Sequence, residues 1–274
     1  MHQSYLRHRD YLYLKLSLFS LAVAIVAYMI SRPSGGANGG TWLGYTLGVI
    51  SAGLIVWLML LGLRKRSYQA GGVMLREWLS GHVYLGLLLI VLVPLHSGFQ
   101  FGWNVHTLAY VLMCVVIASG IAGVILYGAV PSQITENRAG EKLASMLEQL
   151  QTLDSECKTT AAGLPDEFAE AVVFSVDNTR IGGSFSQQLR GGDPSTRSAL
   201  ARVRAKAHEV GEQYRGQVKQ LVSLLALKQE LIERVERDVR LKALLDLWLL
   251  IHVPVAFATL ATVGAHVLIV FFYH

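Results

Sequence analysis

Four of the nine histidines stand at a spacing that suits metal ligation. His82 and His96 lie 14 residues apart in one apolar run, and His252 and His266 lie 14 apart in another. On an α-helix, 14 residues advance about 21 Å and turn through about 1400°, about 40° short of four full turns. Each pair therefore lies on one side of its helix, with one imidazole toward each end. Random placement of nine histidines yields well under one such pair, and ionisable groups inside a bilayer are costly unless they serve a function. Two imidazoles facing each other at one depth supply both axial nitrogens of a six-coordinate haem iron, as in electron-transfer cytochromes. Where the two helices run the same way, His82 comes level with His252 and His96 with His266. Two haems b would then stack between the helices. The two levels are too far apart to share one ion.

The elements that must position these residues follow from composition. The chain has 274 residues, 53% of them hydrophobic and only 16% charged, with a mean hydropathy of +0.42. Soluble domains carry about 25% charged residues. A membrane-spanning helix needs roughly 20 mostly apolar residues, and five segments qualify: about 11–31, 42–63, 79–99, 106–128 and 247–273. The first follows Arg7, His8 and Arg9, but its apolar run is too long for a signal peptide and no small-residue cleavage site precedes Ser31. It is expected to be a retained helix. The N-terminal tail (Arg7, Arg9) and the loop 64–78 (Arg64, Lys65, Arg66, Arg76) hold the basic residues, whereas loops 32–41 and 99–105 hold only Arg32. By the positive-inside rule the N-terminus is cytoplasmic and His274 emerges on the far side. Spans three and five then both run outward, the condition that the histidine levels require.

Between the fourth and fifth spans lies a polar insertion, 129–246, with sixteen of the 24 Lys/Arg and seventeen of the 19 Asp/Glu. The expected organisation is thus 1–128 (spans one to four), 129–246 (a cytoplasmic helical hairpin) and 247–274 (span five): an all-α membrane protein with a haem-binding bundle. Pro131 is expected to end the fourth helix. Apolar residues at 143, 147 and 150 predict a helix over 136–156, and a second fits 165–177. The glycine pairs 182–183 and 191–192 with Pro194 predict a loop over 178–195. Ser195 or Thr196 should then cap a helix free of proline until Pro254. The insertion has near-balanced charge, which gives nucleic acid no electrostatic purchase. It has no phosphate loop, dinucleotide fingerprint or cysteine cluster. Cys114 and Cys157 cannot build a disulfide framework, and no Cys-x-x-Cys-His exists for covalent haem attachment. Cys157 and the lone His208 are expected on a hairpin or solvated face.

Residues near the four histidines complete the sequence-level site. Gly81, Gly86 and Gly98 on one helix, and Ala256, Ala258, Ala261 and Gly264 on the other, leave room for a flat macrocycle. His106, ten residues after His96, is expected to hydrogen-bond an outer haem propionate or to sit at the interface. Ser97, Gln100, Trp103 and Asn104 share its loop. On the cytoplasmic side Arg76, six residues before His82, and Arg240 or Lys242 match the charge of inner propionates. Pro94 and Pro254, each two residues from a ligand candidate, are expected to kink their helices.

These residues resemble the bis-haem membrane cytochromes b. The resemblance rests on His82-x13-His96 with the run "HSGF" (96–99), on "SGIAGVILYGAVP" (119–131), and on "LWLLIHVPVAFATLATVGAHVLIVFFY" (247–273). Histidine pairs 14 apart on two helices are similar to the core of quinol–cytochrome c oxidoreductase cytochrome b. Pairs on a third and a fifth span are closer to the ferric reductase-like and NADPH oxidase transmembrane domains. The chain looks most like bacterial cytochrome b-type proteins with a helical insertion before the last span. Against these families, no flavin or nicotinamide domain is expected after span five, and the sequence contains no Pro-Glu-Trp-type quinol motif. The resemblance implies a di-haem electron-transfer subunit of the bacterial inner membrane with a periplasmic C-terminus. It also implies an iron–sulfur or flavoprotein partner docking on the insertion, and a quinone as the usual other terminus, for which no residue stands out. The rival expectations are a haem-free membrane scaffold or sensor, and a standalone transmembrane metal reductase.

Overall fold

A computed structural model describes residues 5–31, 33, 36–67 and 72–272, with the backbone alone for Tyr5, 63–67 and 72–75. Arg32 and His274 lie outside the described residues, as do the side chains of Arg64, Lys65 and Arg66. Among the described residues the secondary structure is helical, with no strand. The helices are α1 (Leu12–Ile30), α2 (Trp42–Ser67), α3 (Gly72–Ser97), α4 (Val105–Arg138), α5 (Leu143–Ala161), α6 (Asp166–Asn178), α7 (Phe185–Arg190), α8 (Pro194–Lys206) and α9 (Arg215–Phe272). Five of them, α1 to α4 and α9, are long and apolar enough to cross a membrane, so the chain is an all-α membrane protein. Large apolar side chains such as Phe19, Met29, Leu250, Phe271 and Phe272 point outward, which is stable only in a hydrocarbon solvent. Exposed Trp42, Phe99, Phe101 and Trp103 suit the aromatic belt of a membrane interface.

The chain divides into two compact units, 1–124 with 248–274, and 125–247. In the first, α3 is the shared element. Its Leu88, Leu92 and Leu95 pack with Ala24 of α1 and Leu47 of α2. Its Leu89 packs with Ile55 of α2 and Met113 of α4, against which Leu260 and Val263 of α9 also lie. Small residues permit the close approaches that membrane helices need: a Cβ on Gly81 would stand 2.9 Å from the Trp57 ring. Both α3 and α9 run unbroken through Pro94 and Pro254. Pro94 cannot donate to the Ile90 carbonyl one turn back, and the Tyr110 hydroxyl of α4 donates to that carbonyl instead, at 3.3 Å.

The second unit corrects the sequence reading at several points. Pro131 does not end α4, which continues to Arg138. The extension is held by α9: Arg138 makes a two-pronged contact with Asp238 at 2.9 and 2.7 Å. Arg234 donates to the Asn137 and Arg138 carbonyls, which would otherwise be orphaned at the helix end. Ala139 and Gly140 then turn left-handed, with φ 50 and 88, so the next helix begins at Leu143 rather than at 136. The expected loop contains α7, started by a Ser184–Gln187 capping box that satisfies two free N–H groups. The cap of α8 is Asp193, two or three residues before the expected Ser195 or Thr196, with Pro194 in its first turn.

Finally, the long proline-free helix is interrupted over 207–214. The break lets α8 fold against α6, burying Ala199, Leu200 and Val203 with Phe168 and Val172 of α6 and Leu221 and Leu225 of α9. A second cluster joins Met146, Leu150 and Leu153 of α5 to Leu231, Ile232 and Val235 of α9. The insertion is therefore a bundle of α5, α6, α8 and the first half of α9, not a two-armed hairpin. Cys157 is buried in this core, whereas His208 is exposed. Burial pushes the Cys157 thiol up to about 11.

Candidate functional site

All four spaced histidines belong to the first unit, on α3 and α9. His82 faces His252 with ring centres 6.5 Å apart, and His96 faces His266 with centres 6.3 Å apart. The level pairing expected from two 14-residue spacings is thus the pairing in the fold. Two metal–nitrogen bonds of about 2.0 Å, with about 1.15 Å from each nitrogen to its ring centre, place ligating rings about 6.3 Å apart on opposite sides of a metal. Both observed separations match that span.

Hydrogen bonds set which nitrogen is free to ligate. His82 Nδ1 lies 3.2 Å from the Leu58 carbonyl, and His96 Nδ1 lies 2.7 Å from the Gly44 carbonyl. A carbonyl only accepts, so each Nδ1 carries the proton and each neutral ring keeps its Nε2 lone pair. His252 Nδ1 lies 2.7 Å from Ser119 Oγ. That hydroxyl also lies 2.7 Å from the Val116 carbonyl; with its one proton given to that carbonyl, it accepts from His252 Nδ1. Three of the four rings are oriented in the way that metal-ligating histidines usually are.

His106 is brought to the same end of the bundle. Its Nε2–H donates to the Gln100 carbonyl at 2.9 Å, and its ring centre lies 5.8 Å from that of His266. His266 therefore has two imidazole neighbours. Gln100 itself donates to Ala37 at 3.5 Å, and Ser97 to Pro94 at 3.1 Å. Asn104 caps the start of α4 by accepting from Thr107 N. Exposed Arg76 sits on α3, six residues before His82.

The small residues sort differently from the sequence reading. A Cβ on Gly86, one turn after His82, would meet only Leu58, at 4.0 Å, and one on Gly264 would meet nothing within 4 Å. Gly86 leaves space beside His82, whereas Gly264 is exposed. Gly81 instead faces Trp57 and Tyr13, and Gly98, at φ +61, lets the end of α3 pass the Ala37 carbonyl. Ala258 and Ala261 are exposed.

Several residues that build the site escaped the sequence reading. A Cβ on Gly48 of α2 would stand 2.7 Å from His96 Cε1 and 2.8 Å from its Nδ1. Gly44 supplies the carbonyl for that ring. On α4, a Cβ on Gly120 would stand 3.6 Å from His252 Cε1, and one on Gly123 would overlap the Trp248 indole. Trp248 stacks on His252, with ring centres 4.9 Å apart and planes 22° apart. The available signals were the small-xxx-small step Gly44–Gly48 and the Ser119-Gly120-x-x-Gly123 run. Both were visible, but neither says which side chain it seats.

Among the described residues, no three side chains of ligating type converge on one point as a bare ion would need. Each level offers a facing pair of imidazoles, with His106 beside the His96–His266 pair, and two is the number required by a macrocycle that brings four nitrogens of its own. Comparison with protein-family models, curated proteins and solved structures finds no match, so the reading of the site rests on its geometry.

Proposed function

We propose that the chain is the di-haem b cytochrome subunit of a membrane electron-transfer complex, with His82/His252 and His96/His266 as two bis-histidine levels. The observation that carries this reading is the pair of ring separations, 6.5 and 6.3 Å, at two depths of one helix pair. Bound there, haem supplies a one-electron iron centre at each level. The four histidines offer Nε2, the hydrogen bonds from Nδ1 hold three of the rings, and the surrounding leucines exclude water. His106 lies beside His266, where it can meet a propionate at that end. Arg76 offers a positive charge at the other.

In this reading the two levels only carry electrons, which arrive from and leave to partners. The polar bundle of α5, α6, α8 and α9 is the docking surface for an iron–sulfur or flavoprotein subunit, and a quinone is the exchange partner in the bilayer. The basic N-terminal tail and loop 64–78 support a cytoplasmic N-terminus and polar bundle, which fits a bacterial inner-membrane protein.

The deciding experiment is a reduced-minus-oxidised optical spectrum of purified protein with haem quantification. A b-type band and two haems per chain are expected. His96→Ala or His266→Ala should leave one. A folded but colourless protein from a haem-replete host would overturn the reading in favour of a membrane scaffold or sensor.

A further inference from the structure

Ser119 of α4 holds two rings of α9 at once. Its Oγ lies 2.7 Å from both His252 Nδ1 and the Val116 carbonyl, so it accepts from the imidazole when its own proton goes to Val116. Its carbonyl accepts from Trp248 Nε1 at 2.6 Å. Trp248 lies one turn before His252 on α9 and covers one face of that imidazole. The glycines that follow Ser119 complete the seat, Gly120 beside His252 Cε1 and Gly123 beneath the indole. The run Ser119-Gly120-x-x-Gly123 is thus a cradle for one histidine and the indole stacked on it, fixing both the position and the rotation of the His252 ring.

The two levels are unequal in this respect. At the His82–His252 level both rings donate through Nδ1, to Leu58 and to Ser119. At the other level His96 donates to Gly44, while His266 makes ring contacts with His96 and His106 but no hydrogen bond to the described residues. An imidazole whose distal N–H is hydrogen-bonded is a stronger electron donor to its metal. Electron donation favours the oxidised state.

Building on the haem reading above, we propose that Ser119 is the positioning residue of the His252 ligand and makes the His82–His252 level the harder of the two to reduce. Trp248 supports it by locking the ring. Ser119→Ala removes the acceptor and leaves the helix backbone intact, whereas Ser119→Thr keeps it.

The test is a redox titration of the purified full chain, followed optically, with low-temperature EPR of each haem. Wild-type protein should give two waves. In Ser119→Ala both haems remain and the lower wave moves up by roughly fivefold in its reduction equilibrium, the factor that one hydrogen bond supplies. The upper wave stays in place, and Ser119→Thr restores the lower one. An unmoved lower wave, or movement of the upper wave instead, overturns the assignment. Should Ser119→Ala shed a haem, Trp248→Phe decides. It removes the indole N–H yet keeps a ring, and it should shift one low-spin EPR signal while sparing the other; two unchanged signals overturn the proposal. Wild-type protein without haem would instead defeat the underlying reading, a different and separately visible result.

Discussion

At the residue scale, the site depends on what is missing from α2 as much as on the histidines. His96 Nδ1 reaches the Gly44 carbonyl at 2.7 Å only because Gly48 has no side chain, since a methyl there would stand 2.7 Å from the ring. Gly48→Ala should displace His96 and reduce the haem content from two per chain to one, with the helical circular dichroism unchanged. Two haems in that variant would show that the ring can shift without losing its ligand geometry. Sequence periodicity placed the four histidines on common faces, because helical rotation is a local property. It could not select Gly48 among 26 glycines, because the carbonyl and the ring it admits lie 52 residues apart in sequence.

At the scale of elements, the second unit is pinned by a buried cation that the composition does not reveal. Lys228 of α9 is 1% exposed and pairs with Asp154 of α5 at 2.7 Å. It also donates to Ser175 of α6 at 2.8 Å, and Ser175 in turn bonds Thr196 of α8 at 2.9 Å. One side chain thereby ties all four helices of the bundle. Removing one member of a buried pair strands the other, at about 3–5 kcal/mol. Asp154→Ala should therefore lower the stability of this unit by about 3 kcal/mol in denaturant unfolding of the full chain in detergent. The double variant Lys228→Met with Asp154→Leu should recover most of the loss, because apolar groups of similar size replace the pair without a stranded charge. If the single and double variants lose the same amount, the lysine is not the cause. The helices themselves were readable from apolar spacing, but their ends were not. Pro131 was overridden by the Arg138–Asp238 and Arg234 contacts, which come from another helix.

At the scale of the whole molecule, the proposed topology can be tested by cysteine labelling in a Cys114→Ser background, to which buried Cys157 adds little. The Cys157 thiol is buried and raised to about 11, so at pH 7 to 8 it stays protonated and unreactive. A cysteine placed at exposed His208 should react with a membrane-impermeant maleimide only in inverted vesicles, and one at exposed Gln100 only from the opposite side. Equal labelling from both sides would defeat the positive-inside assignment. The sequence by itself determined the five spanning helices, because length and hydropathy are properties of a segment. It also determined which histidines share a face, because helical phase accumulates along one chain. The tertiary structure alone decided which carbonyls and hydroxyls orient those rings, that His106 stands beside His266, and that the insertion folds as a bundle. The partners of His82, His96 and His252 lie 24, 52 and 133 residues away. Such contacts arise from helix packing, which local periodicity does not encode.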